Sequence, residues 1–333
     1  MEPFAFSRAV DASQAIGAAA CASTAQQGAE VRFVAGGTTL LDLMKLNVER
    51  PQRLIDINHL PLADVEKLAD DRLKIGALVR NTDLAHHPLV ERDYVVLSEA
   101  LLAGASTQLR NMATTGGNLL QRTRCAYFRD ADMPCNKREP GSGCSAIDGA
   151  NRNLAILGTS DHCIATNPSD MNVALTALEA VVVIQGTQGE RQVLIDDFFL
   201  LPGETPQHET VMQPGDLITH VILPPPVKDA RSHYLKLRDR ASYEFALSSA
   251  AVVFGTDAGK VSHIRIALGG IGTKPWRSVE AEKALLGQTP TPENFAAAAT
   301  AALRDARPQS ENGFKVDLAQ RCLTHALSVV ANA

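Results

Sequence analysis

Four of the six cysteines, Cys125, Cys135, Cys144 and Cys163, gather in one stretch, with nine, eight and eighteen residues between successive members. Thiolates are soft ligands, so the gathering points to metal chemistry, although structural zinc sites and ferredoxin-type clusters both favour close Cys-x-x-Cys pairs. The open spacing leaves three readings level: an iron–sulfur cluster held by a long loop, a zinc ion, and unliganded thiols. Gly141-Ser142-Gly143 before Cys144 gives the backbone freedom to converge, and Arg122, Arg124, Arg129, Lys137 and Arg138 would offset thiolate charge. His162, beside Cys163, is a further candidate ligand. Cys21 and Cys322 fall in stretches expected to be helical and are expected to act as small buried hydrophobes.

A second chemistry belongs to glycine turns. In Phe33-Val34-Ala35-Gly36-Gly37-Thr38-Thr39-Leu40 successive N–H groups, freed of side-chain bulk by the glycines, would make a concave donor site for a pyrophosphate. The run has neither the GxGxxG spacing of a Rossmann turn nor the lysine of a P-loop, so an ordinary strand-to-helix turn is the competing reading. Thr114-Thr115-Gly116-Gly117-Asn118 repeats the donors and adds a side-chain amide, and two such turns would hold a long dinucleotide from both sides. Asp170 is placed to accept from ribose hydroxyls or to cap the helix after it. No Ser/His/Asp set or carboxylate pair stands out, so no catalytic residue is assigned.

The elements that must position these groups follow from periodicity. Asp11 or Ser13 caps an alanine-rich helix running to about Ala25; Val31–Val34 and Leu54–Ile57 read as strands flanking a helix over 40–46, a small βαβ unit. Leu73–Ala77 reads as a strand, 81–84 as a short helix, Leu97–Arg110 as one helix, and Val173–Ile184 as a helix passing into a strand. Pro224-Pro225-Pro226 marks a boundary, beyond which three strands, over 234–238, 246–254 and 261–269, precede helices over 292–304 and 314–330.

The chain has 333 residues, enough for two or three domains with real cores. Its net charge of -5 disfavours nucleic acid as a partner, and no run is long and apolar enough for a membrane span. The first residues lack a basic leader followed by an apolar stretch, so export would depend on a signal-bearing partner.

Three ordered motifs carry a resemblance: Phe33 through Lys45, Ala113-Thr114-Thr115-Gly116-Gly117-Asn118, and Ile266-Ala267-Leu268-Gly269-Gly270. Over essentially its whole length the chain resembles the medium, FAD-binding subunit of the xanthine dehydrogenase family of molybdenum hydroxylases. The cysteine stretch is similar to the subset with an additional 4Fe-4S cluster, most closely the FAD subunits of bacterial periplasmic aldehyde oxidoreductases, with 4-hydroxybenzoyl-CoA reductase more distant. The resemblance implies an α+β fold: a vanillyl-alcohol-oxidase (PCMH)-type FAD-binding domain of two subdomains, over 1–60 and 61–226, and a CO dehydrogenase flavoprotein C-terminal domain over 227–333. The cluster insert would occupy about 119–165.

It further implies that Arg32, Phe33, Val34, Ala35, Gly36, Gly37, Thr38, Thr39 and Leu40 line the FAD pyrophosphate, and that Thr114, Gly117 and Asn118 bind from the second turn. Asp170, Ile218 and Lys236 fall at flavin-contacting positions, Tyr243 approaches from the C-terminal domain, and the four central cysteines ligate 4Fe-4S. Implied partners are a large subunit with molybdenum cofactor, a small subunit with 2Fe-2S clusters and an external electron acceptor. The implied compartment is the periplasm, reached by co-export, with the cytoplasm as the alternative. A nucleotide-binding scaffold with structural zinc and the FAD subunit of another molybdenum hydroxylase are the rival readings.

Overall fold

Parallel strands need a crossover, and the N-terminal region supplies it with short helices. In the computed structural model, which describes residues 1–333, β1 (Ala5–Arg8), β2 (Val31–Val34) and β3 (Arg53–Asp56) form a parallel sheet in the order β1-β3-β2. Helix Ala12–Ala19 joins β1 to β2 and helix Leu40–Lys45 joins β2 to β3, so the expected βαβ unit is present. Asp11 caps the first helix by accepting from the Gln14 N–H at 2.7 Å. That helix stops at Ala19 rather than near Ala25, because side chains capture the following backbone. Thr24 Oγ1 accepts from the Gln26 N–H at 3.0 Å, and Arg32 donates to the Ala25 carbonyl at 2.6 Å.

The second sheet is antiparallel, in the order β4-β5-β8-β6-β7: β4 (Val65–Lys67), β5 (Leu73–Gly76), β6 (Val181–Gly186), β7 (Gly189–Leu194) and β8 (Leu217–Leu223). Helices Val95–Ala103 and Asp170–Ala177 bury Leu97, Leu101 and Leu175 in one core with Ile75, Val182 and Val221. The stretch expected as one helix over 97–110 is two. Ala105 takes a left-handed φ of 51°, and Ser106 caps a new helix, Thr107–Met112, by accepting from the Leu109 N–H.

The third sheet, β9 (Arg231–Leu237), β10 (Ser248–Asp257), β11 (Lys260–Gly269) and β12 (Trp276–Arg277), is antiparallel in the order β12-β11-β10-β9. Side chains alternate across a strand, and β10 uses both faces. Ala250, Val252 and Phe254 pack in a core with helices Pro292–Ala302 and Phe314–Asn332, while Ala251 and Val253 enter the core of the second sheet. The C-terminal sheet is thereby packed against the second sheet through its own apolar face.

Residues 120–169 carry little regular structure: one helix, Ala126–Arg129, and single bridges pairing Cys135 with Cys144, Leu157 with Gly272 and Ser160 with Cys163. The C-terminal domain clamps this stretch. Asn312 Nδ2 donates to the carbonyls of Asn151, Leu154 and Ala155, and the buried Lys315 ammonium donates to Leu154 at 3.0 Å and Gly270 at 2.8 Å. No helix is long and apolar enough to cross a membrane.

Candidate functional site

A cavity of about 260 Å³ runs along the first glycine turn. The backbone N–H groups of Ala35, Gly36, Gly37, Thr38, Thr39 and Leu40 bond to no acceptor in the chain, so six consecutive donors line its wall. Unsatisfied backbone donors are costly away from water, and a run of them suits an anionic ligand. Gly37 is needed for its φ of +72°, which L side chains rarely adopt. Gly36 is needed for a different reason: a Cβ there would lie 1.9 Å from the Met112 carbonyl oxygen, so the first turn packs backbone against backbone on the segment leading into the second.

The second turn is the start of a short helix, Thr115–Leu119, capped by Thr114, whose hydroxyl accepts from the Gly117 N–H at 3.2 Å. That N–H is therefore engaged within the chain. Thr114, Gly117 and Ile218 line the cavity together with all of Arg32 through Leu40. Asn118 does not; its Oδ1 accepts from Ser169 Oγ at 2.8 Å, and Ser169 in turn caps helix Asp170–Ala177.

Asp170 and Lys236 are brought to each other. Lys236 Nζ donates to Asp170 Oδ2 at 2.8 Å, Tyr234 Oη donates to Oδ1 at 2.6 Å, and the pair is buried. Burial and the Asp170 charge push the Tyr234 phenol well above its ordinary pKa. Asp170 lines a second, more polar cavity of about 270 Å³, which shares Thr166, Asn167 and Pro168 with the first. Tyr243, on a left-handed φ of 53°, lines neither cavity and is 57% exposed, with Arg240 over its ring.

The four central cysteines share one apolar core with Leu43 and Val48, which belong to the segment following the first turn. The thiol core and the first glycine turn therefore grip the same helix, Leu40–Lys45, whose Asp42 is bonded to Arg124 at 3.0 Å and Arg129 at 2.9 Å. Burial pushes the Cys125 thiol up to about 12, partly opposed by the N–H groups of Phe128 and Tyr127. Burial also raises Cys144 and Cys163, with Lys137 opposing the rise at Cys163. No three His, Cys, Asp or Glu side chains are grouped closely enough to hold one metal ion. His162 is exposed, and its carbonyl accepts from Asn136. Cys322 is buried as expected; Cys21 is exposed, because the first helix ends two residues before it.

Sequence reasoning missed the acidic members of the cavity wall. Glu49, 3% exposed, receives Arg32 at 3.0 Å and Arg122 at 2.5 Å; Glu209 receives Arg122 at 2.5 Å and Lys137 at 3.0 Å. Burial pushes the Glu209 carboxyl up, but Arg122 and Lys137 outweigh it and hold the group at about 2. Neither glutamate lies in a motif, and only folding brings them to the basic residues around Cys125 and Cys135.

A run of free backbone donors along a cavity, beside a buried thiol core and on a fold of three sheets, defines a protein built to bind an anionic cofactor. The FAD binding domain in molybdopterin dehydrogenase matches residues 2–226, and the CO dehydrogenase flavoprotein C-terminal domain matches 232–330. The chain belongs to this family, the FAD-binding medium subunits of the molybdenum hydroxylases, and is the flavoprotein subunit of an oxidoreductase complex. It is 51% identical, over 93% of its length and 94% of the relative's, to the aldehyde oxidoreductase FAD-binding subunit PaoB of Escherichia coli. The glyceraldehyde dehydrogenase medium chain of Sulfolobus acidocaldarius is 28% identical over 77% of this chain and 74% of that one. Among solved structures, the carbon monoxide dehydrogenase of Hydrogenophaga pseudoflava superposes with a TM-score of 0.77 at 26% identity, covering 99% of this chain and 98% of its counterpart.

Proposed function

We propose that this chain is the electron-transfer subunit of a molybdenum-dependent aldehyde oxidoreductase, binding FAD in the first cavity and a 4Fe-4S cluster on Cys125, Cys135, Cys144 and Cys163. It passes electrons from molybdenum and 2Fe-2S subunits to an external acceptor. The observation that carries the reading is the placement of Cys163: it belongs to the thiol core and also lines the nucleotide cavity. The donor set is four thiols with no hard ligand, as a soft iron–sulfur centre requires. In a cubane each thiolate binds a different iron, whereas a zinc site asks four ligands to converge on one ion. The relative of 51% identity is by name an aldehyde oxidoreductase subunit, which supports the substrate class.

The chain's own residues would hold the pyrophosphate on the N–H groups of Ala35 through Leu40, with Thr38 and Thr39 alongside and Ile218 on the facing wall. Bound FAD supplies pairwise electron acceptance, and a cluster supplies one-electron exchange; the protein's part is to bind, orient and exclude water. Export proceeds with a signal-bearing partner to the periplasm.

The test is anaerobic purification of the chain with its co-purifying partners, followed by flavin, iron, labile-sulfide and zinc analysis and by cell fractionation. One FAD and four irons with sulfide per chain, alongside a molybdenum-containing large subunit in the periplasm, are expected. One zinc with no sulfide would overturn the cluster, and a cytoplasmic complex would overturn the compartment.

A further inference from the structure

Five charged side chains line the cavity on the side where it meets the thiol core, alternating in sign: Arg32, Glu49, Arg122, Glu209, Lys137. Arg32 lies on β2 at the entry to the nucleotide turn, and Lys137 lies two residues beyond Cys135. The row leaves one positive charge in excess. Its inner members are deeply placed, the side chains of Glu49, Lys137 and Arg122 being 2%, 9% and 10% exposed. Charges so placed act through a medium far less screening than water, and salt shields them little.

Arg122 and Lys137 are the members of the row that border the thiol core. Arg122 lies over the Phe128 ring at 4.6 Å, and Phe128 is packed in the same core as Cys125, Cys135 and Cys163. Arg122 Nη2 is buried with no hydrogen-bond partner, while its other nitrogens pair with Glu49 and Glu209. Lys137 is fixed by the Pro206 carbonyl at 2.9 Å and by Glu209, and it borders the cavity together with Cys163.

We propose that Arg122 and Lys137, positioned by Glu49 and Glu209, set the reduction potential of the centre carried by the four cysteines, raising it from the cavity side. The proposal rests on the reading of those cysteines as cluster ligands. Reduction adds one electron to a centre that already carries negative charge, so a nearby buried cation favours the reduced form and a nearby carboxylate opposes it. Arg122 and Lys137 are positioning residues in this scheme and ligate nothing. Glu209 has a double task, orienting both cations and subtracting from their field.

The experiment is a redox titration of the anaerobically purified complex by electron paramagnetic resonance, the cluster signal being identified by its absence from the Cys125→Ser complex. Iron and sulfide are measured first. Lys137→Gln and Arg122→Gln should lower the midpoint potential by about tenfold in the reduction equilibrium, about 59 mV for one electron. Glu209→Gln should move it upward, and Lys137→Arg should restore the wild-type value. Absence of iron and sulfide from wild type would sink the cluster reading itself. With the cluster present, unchanged potentials, or shifts of one sign in Lys137→Gln and Glu209→Gln, would overturn the tuning role. Cluster loss from both variants would equally overturn it, by making the row a scaffold.

Discussion

The first glycine turn and the thiol segment pack on the same helix, Leu40–Lys45, and present their groups by opposite means. Ala35 through Leu40 offer backbone donors from six successive residues, so the geometry is local and side-chain identity matters mainly where bulk must be absent. The thiol segment offers side chains only, from Cys125, Cys135, Cys144 and Cys163, and their meeting depends on contacts with Leu43, Val48 and the C-terminal clamp of Asn312 and Lys315. A backbone site is therefore vulnerable to added bulk, and a side-chain site to the loss of any one atom or any support.

The largest effect on flavin binding is expected from Gly36→Val. Its Cβ would strike the Met112 carbonyl at 1.9 Å, a contact between two backbones that has no flexible end to yield. FAD affinity, read by flavin retention on gel filtration, should fall by at least about tenfold, about 1.4 kcal/mol. Retention of stoichiometric flavin would break the comparison, by removing the first turn from the site.

Next, serine at Cys125, Cys135, Cys144 or Cys163 should remove iron and labile sulfide together, a hard alkoxide being a poor substitute for a soft thiolate. Flavin should persist in Cys125→Ser and fall in Cys163→Ser, since only the latter residue lines the nucleotide cavity. Equal flavin loss in both would merge the two regions into one folding unit.

Lys236→Met isolates a third kind of site, a buried ion pair supporting helix Asp170–Ala177. Leaving Asp170 buried without its partner should cost about 3–5 kcal/mol in denaturant unfolding. A loss of similar size in flavin-free protein would mark the pair as a support of the fold; a loss seen only with flavin bound would mark it as a cofactor contact.

A smaller and pH-dependent effect should come from the clamp. Burial, with Arg152 adding to it, pulls the Lys315 ammonium down from 10.5 to about 7. The unfolded chain then binds more protons than the folded one between those values, so stability should rise as pH increases from about 7 towards 10.5. Chemical unfolding at pH 7 and pH 9.5 reads this, and Lys315→Met should flatten the rise; an unflattened profile would assign it to other groups. The smallest effect, none on flavin, iron or sulfide, is expected for Cys21→Ser, whose side chain is exposed and outside the thiol core.

Local signals were legible wherever the determining bonds lie within a few residues. Asp11 as a cap, the strands around 31–34 and 53–56, and the turn at Gly36-Gly37 follow from residue type and period. Boundaries failed where a side chain captured backbone from the expected helix: Thr24 and Arg32 after Ala19, and Ser106 after Ala103. The exposure of Cys21 is one consequence of such a boundary. Asn118 shows the limit for site residues, since its bond to Ser169, 51 residues away in the chain, is announced by no motif.

What the sequence determined by itself is the run of backbone donors, the soft donor set and the family, because each is carried by residues contiguous or characteristic in type. What only the tertiary structure decided is which groups meet: Glu49 and Glu209 with Arg122, Asp170 with Lys236, and Cys163 with the nucleotide cavity. The physical reason is that an ion pair or a shared cavity wall depends on distances set by packing between sheets, and no pattern along a single strand or helix encodes them.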